Sequence, residues 1–249
     1  MKTTFRPILF STPMVLAILE DRKTQTRRTK GLEKINENPD NWKFDRYAVD
    51  MAFNKIGIIF SNDNEEIHIP FKANIGDVFW VRETFEYFES NYNPHGNPLD
   101  KNSTVKIQFK ADRKVSEEFP IEGIKALKAF AEIQNLKSIF KPSIFMPKPA
   151  CRIFLKIKNI RVERLQEISE KDAIAEGIIE ILPQAYPQYR EWKNYLNPYN
   201  PHGYKSHYNN PINSFCSLWH SINGKGSWNA NPFVWVYELE KIEKPNDFV

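Results

Sequence analysis

The chain has 249 residues, 41% hydrophobic and 27% charged, which is enough apolar material to bury a core and leaves no low-complexity tract to argue for disorder. Its two cysteines, Cys151 and Cys216, exclude a disulfide framework and point to a reducing compartment, so the cytoplasm is the expected location. The formal charge is only +4, yet Lys2, Arg6, Arg22, Lys23, Arg27, Arg28 and Lys30 meet only Glu20 and Asp21 among the first thirty residues, so the basicity is local.

The apolar stretch from Pro7 to Leu19 is too short to span a bilayer and is interrupted by Ser11, Thr12 and Pro13; neither a signal peptide nor a membrane anchor is expected. Thr12 followed by Pro13 predicts a helix start, with Met14, Val15, Ile18 and Leu19 as its apolar stripe. The octet Asp21 to Arg28 follows at the helix exit, where four cations and two hydroxyls would favour an anion. Ile56 to Phe60 and Glu66 to Phe71 flank the turn-rich Ser61-Asn62-Asp63-Asn64 and predict a hairpin. Val78 to Thr84 predicts a strand with Trp80, Arg82 and Thr84 on one face and Phe79, Val81 and Glu83 on the other.

From Glu86 to about Pro142 the periodicity fades, apart from a short strand at Val105 to Phe109 and a helix around Ile124 to Ile133, so residues 86–140 are expected to be an insertion. Ile153, Leu155 and Ile157 then alternate with polar positions before Ile160 and Val162 resume one register later, which predicts a β-bulge near Asn159. Ser169 is a predicted N-cap with Asp172 at the third helical position, Ile168 stapling to Ala173 and Gly177 as the stop. Glu176 falls in the final turn of that helix, where the macrodipole disfavours a carboxylate unless a cation lies close. Six of the ten tyrosines lie between Tyr186 and Tyr208, within a long loop expected over 183–210. Asn210-Pro211 starts a third helix with Ile212, Phe215, Trp219 and Ile222 at helical spacing, ended by Gly224, and Phe233 to Leu239 is a closing strand. Short strands without an alternating βα repeat predict an α+β fold, a small and largely antiparallel β-barrel flanked by helices, built as a single domain over 1–249.

The octet, the strand Gly76 to Thr84 and the helix Ser169 to Gly177 together resemble the ASCH family, a branch of the PUA-like β-barrel superfamily, with phage and prophage members nearest in pattern. Lys141 to Pro147, Leu218-Trp219, and Trp228, Asn229, Asn231 and Pro232 add to the likeness. The resemblance implies a cleft between barrel and helices that receives RNA or a modified nucleoside, with Lys23 and Arg28 on its wall. It also aligns Lys23, Thr26 and Glu176 with the set used by small bacterial amidohydrolases that deacylate N4-acylated cytosine nucleosides.

Those residue types suit the chemistry. Threonine needs a base to become nucleophilic, and a lysine serves when desolvation or neighbouring cations lower its pKa. Arg22, Arg27 and Arg28 are such neighbours, and Glu176 would orient the lysine or manage protons. Trp80, Arg82 and Glu83 are expected to line the adjacent strand, where an aromatic beside cations suits a splayed base. The alternative expectation is a non-catalytic RNA-binding module. No cofactor is expected, and Cys216, His220, His202 and His207 lack a recognised zinc spacing, so no metal is expected either.

Overall fold

The computed structural model describes residues 3–50, 55–91, 103–121, 123–134, 140–181, 190–196 and 207–248. In chain order the first elements are β1 (Phe5–Leu9), α1 (Thr12–Leu19), β2 (Gln25–Arg28), α2 (Glu33–Asn36), β3 (Lys43–Asp50), β4 (Lys55–Ser61), β5 (Glu66–Pro70) and β6 (Val78–Arg82). Then come β7 (Phe85–Ser90), β8 (Thr104–Phe109), β9 (Phe119–Pro120), α3 (Gly123–Gln134) and β10 (Phe154–Arg164). The chain ends through α4 (Glu170–Ala175), β11 (Glu180–Ile181), β12 (Glu191–Lys193), β13 (His207–Tyr208), α5 (Pro211–Asn223) and β14 (Phe233–Ile242). The fold is mixed α+β, with most strands in antiparallel sheets, and β1 pairs with β6 in parallel. No helix among the described residues is long and apolar enough to cross a membrane.

The chain divides into two compact units. The first comprises Met1–Leu19, Val78–Lys156 and Lys241–Val249. Its central strand is β6, with β1 parallel on one side and the start of β10 antiparallel on the other. Pro7 within β1 has no N–H to give a ladder, which suits the edge position this strand holds and explains why FRPIL does not read as a strand. The predicted strand and helix of the 86–140 stretch are present as β8 and α3, and β7 and β9 join β8 in a three-stranded sheet. Val105, Ile107, Phe109 and Phe119 from that stretch pack with Trp80, Phe85, Phe154 and Phe248, so it supplies core as well as surface.

The second unit comprises Glu20–Asp77 and Ile157–Glu240. Here β14 lies between β10 and β2, and β2 is an edge strand. The expected hairpin is β4 and β5, its turn fixed by Asn62, whose side-chain oxygen accepts from the Asn64 and Glu65 amides at 2.8 and 2.9 Å. Strand β3 completes that sheet but was not foreseen, because a register shift between Phe44 and Arg46 breaks the alternation that would reveal it. On β10, Lys158 and Asn159 are both exposed between buried Ile157 and Ile160, and the Asn159 side chain accepts from the Ile160 amide at 2.9 Å, matching the expected one-residue slip.

Helix α4 forms as its sequence dictates. Ser169 Oγ accepts from the Asp172 amide at 3.1 Å, Ile168 and Ala173 are buried together at its start, and Gly177 ends it at φ 86°. Ser169→Ala is expected to lower stability by about 1 kcal/mol in denaturant unfolding, and Ser169→Asp to keep most of it. Helix α5 is capped by Asn210, which accepts from the Ile212 amide at 2.7 Å, and stops at Gly224. Its inward face departs from expectation: Ile222 is 53% exposed, while Ser214 and Ser217 are buried. Those two hydroxyls reach the small sheet β11-β12-β13: Ser214 donates to the Lys193 carbonyl at 2.7 Å and Ser217 accepts from the Tyr195 amide at 3.0 Å. Within the predicted 183–210 loop, residues 190–196 and 207–210 are therefore tied to α5, while Tyr186, Tyr189, Tyr199 and Tyr204 lie outside the described residues.

Candidate functional site

The candidate site is built where the basic octet meets the end of α4, wholly within the second unit. The Thr24 amide donates to the Ala175 carbonyl at 2.8 Å, and Lys23 and Glu176 form an antiparallel bridge, so the exit of α4 is laced to the chain entering β2. That backbone pairing brings the Glu176 carboxylate within reach of the cations at both ends of β2. Lys23 Nζ donates to Glu176 Oε2 at 2.6 Å and to the Glu176 carbonyl at 2.9 Å, and both residues are buried. Arg27 Nη1 reaches the other carboxylate oxygen, Oε1, at 3.0 Å. The carboxylate that the helix dipole would disfavour is thus held by two cations, the compensation its position demands.

Alternation along β2 sorts the rest. Gln25 and Arg27 share one face: Gln25 donates to Asp172 at 2.9 Å, and Arg27 donates to Glu163 at 3.0 and 2.7 Å and to Asp172 at 3.4 Å. The Arg27 side chain is fully buried and lies over the Phe215 ring at 5.7 Å. Arg161 extends the network, donating to Glu163, Asp172 and Glu238 at 3.0, 2.8 and 2.7 Å. Thr26 and Arg28 occupy the opposite face, opposite Tyr237 and Trp235 of β14. Thr26 is buried and Arg28 half-buried. Arg22 donates to the Gly177 carbonyl at 2.7 Å and pairs with Glu20.

Burial sets the charge states. Desolvation draws the Lys23 pKa below the ordinary lysine value of 10.5; Glu176 opposes this, while Arg28 and Arg27 add to it. Desolvation likewise lowers the Arg28 pKa, against Glu176 and Tyr237, though an arginine so shifted remains charged at neutral pH. The octet is consequently less of an anion trap than its composition suggests, because Arg22, Lys23 and Arg27 each have a carboxylate partner within the protein.

The structure therefore joins Glu176 directly to Lys23 and to Arg27, and carries Thr26 and Arg28 on the face of β2 shared with Tyr237 and Trp235. The residues that sequence reasoning missed are Glu163, Arg161, Glu238, Tyr237 and Trp235. Only the spacing of Arg161 and Glu163, two apart on a strand and so on one face, signalled any of them. Trp80, Arg82 and Glu83 belong to the first unit. Trp80 is packed in its core, Arg82 lies over the Trp80 ring at 5.5 Å and donates to the Ile144 carbonyl, and Glu83 is buried in a bidentate pair with Arg152 at 3.0 and 2.8 Å. Among the described residues no group of three or more His, Cys, Asp or Glu is placed to hold a metal ion. Compared with protein-family models, with curated proteins and with solved structures, the chain matches none.

Proposed function

We propose that the chain is an ASCH-type protein with a PUA-like barrel that acts in the cytoplasm on N4-acylated cytosine nucleosides, hydrolysing the amide. The observation that carries this reading is the buried Lys23–Glu176 pair, with Lys23 depressed in pKa three residues before a buried threonine. A lysine held this way gives up its proton more readily than a solvated one, which is the condition a threonine nucleophile needs.

In the proposed reaction neutral Lys23 accepts the Thr26 hydroxyl proton as Oγ1 bonds to the acyl carbon. The C–N4 bond then breaks, its electron pair goes to N4, and the proton returns through Lys23 to that nitrogen, leaving an acyl-threonine ester and a free exocyclic amine. Water attacks the ester, Lys23 takes its proton and returns it to Thr26 Oγ1, and a carboxylic acid departs. Glu176 holds the lysine in place and steadies its protonated form. Arg28 supplies positive charge on the face of β2 that carries Thr26, where the tetrahedral oxyanion would develop. The internal pairing of Arg22, Lys23 and Arg27 supports a small nucleoside over a long polyphosphate chain, and so favours this reading over the RNA-binding module.

The test is incubation of the purified protein with N4-acetylcytidine, following loss of the acylated-cytosine absorbance. Turnover is expected in the wild type, falling by about two orders of magnitude or more in Lys23→Ala and in Thr26→Ala. The rate should rise with pH as Lys23 loses its proton, with its midpoint below 10.5, because the lysine pKa is lowered. Turnover that survives Lys23→Ala unchanged, or none in the wild type, overturns the proposal.

A further inference from the structure

Taking the ligand to be a nucleoside as proposed above, we infer that the indole N–H of Trp235 reads a ring carbonyl oxygen, the 2-oxo group of a pyrimidine. Trp235 is 1% exposed, and its Nε1 has no hydrogen-bond partner among the described residues. A dry, unpaired indole N–H is costly, and a core position that asks only for aromatic bulk is filled as well by Phe, of which the chain has 18.

The surroundings give that donor a purpose. Trp235 stands opposite Arg28 across the β14–β2 ladder, and Tyr237 opposite Thr26, so all four side chains share one face. Cross-strand partners of this kind have Cβ atoms about 5 Å apart, within reach of one small ligand. Phe71 meets the indole edge-on, at 5.3 Å between centroids and 80°, and fixes the plane of the ring. Indole and guanidinium are both donors without acceptor capacity, so a group seated between them must offer lone pairs. An oxo group does so, and the 2-oxo oxygen of cytosine lies beside the N3 acceptor on the same edge of the ring. Trp235 thereby acts as a binding residue, with Arg28 beside it, while Lys23, Thr26 and Glu176 carry the chemistry.

The experiment compares cytidine with 2-thiocytidine, in which sulfur, a poor acceptor, replaces the oxygen, on the wild-type protein and on Trp235→Phe by calorimetric titration. The wild type is expected to prefer cytidine by about tenfold, and Trp235→Phe to lose that preference through weaker cytidine binding. The variant should melt within a few degrees of the wild type, since no acceptor is left stranded. A preference that persists in Trp235→Phe overturns the assignment while leaving the nucleoside reading intact; failure of the wild type to bind cytidine or N4-acetylcytidine overturns both. Should Trp235→Phe not fold, the indole N–H resonances of the wild type decide: one must move downfield with cytidine and less with 2-thiocytidine, and an unmoved set overturns the assignment.

Discussion

Glu176→Ala is expected to destabilise the protein by about 3–5 kcal/mol, read from the denaturant midpoint, because it leaves buried Lys23 without a carboxylate and takes one of three from Arg27. Lys23 Nζ loses the carboxylate at 2.6 Å and Arg27 loses one of its acceptors at 3.0 Å, while neither gains access to water. Adding Lys23→Met to the alanine variant should recover part of the loss, since the damage comes from an uncompensated charge and not from missing volume. The pH dependence has a definite sign. Without Glu176 the Lys23 pKa falls further below its unfolded value, so the cost is full below the folded pKa and is relieved as pH rises from there toward the unfolded one. The deficit of Glu176→Ala should accordingly shrink in alkali, down to the share due to Arg27, which stays charged. A deficit under about 1 kcal/mol would place the pair among solvated surface bridges instead.

Arg152→Ala is expected to cost a similar amount, about 3–5 kcal/mol, with the opposite pH signature. Arg152 grips Glu83 through two bonds, grips Asp112 through two more at 2.9 and 3.0 Å, and stacks on the Phe109 ring at 3.8 Å. Glu83 is 1% exposed, and burial already holds its carboxyl above the usual range despite the arginine. Removing Arg152 raises it further. A carboxyl whose folded pKa exceeds its unfolded one retains its stability below the unfolded pKa and loses it as pH climbs toward the folded value. The deficit should therefore be small in acid and grow as pH rises above the ordinary carboxylate range, which urea titrations at two pH values would resolve. An equal deficit at both would mean that Glu83 is solvated after the substitution.

Signals carried by a few neighbouring residues were legible in the sequence. The caps Ser169 and Asn210, the stops Gly177 and Gly224, the Asn62 turn and the slip at Asn159 each depend on one or two side chains acting on adjacent backbone, and each is present. Strands β1 and β3 stayed hidden because Pro7 and the shift after Phe44 disturb the period that would announce them. At the candidate site, the demand of Glu176 for a cation could be deduced from the helix-end position alone, and Lys23 meets it. The carboxylates that neutralise Arg27 could not be deduced, since Glu163 and Asp172 lie more than a hundred residues away and meet it only through the ladder order of β10, β14 and β2 and the pairing of the α4 exit with the chain entering β2. Trp235 escaped for the same reason: its opposition to Arg28 is a matter of register, which no local pattern records.

The bond from Thr24 to Ala175 and the bridge between Lys23 and Glu176 lie at the entrance to β2, the outermost strand of its sheet. A bare rim of peptide groups invites another chain to add itself as a further strand and so to begin a fibre. With the exit of α4 occupying one end of that rim, the backbone pairing that assembles the lysine and the glutamate also guards the protein against self-association.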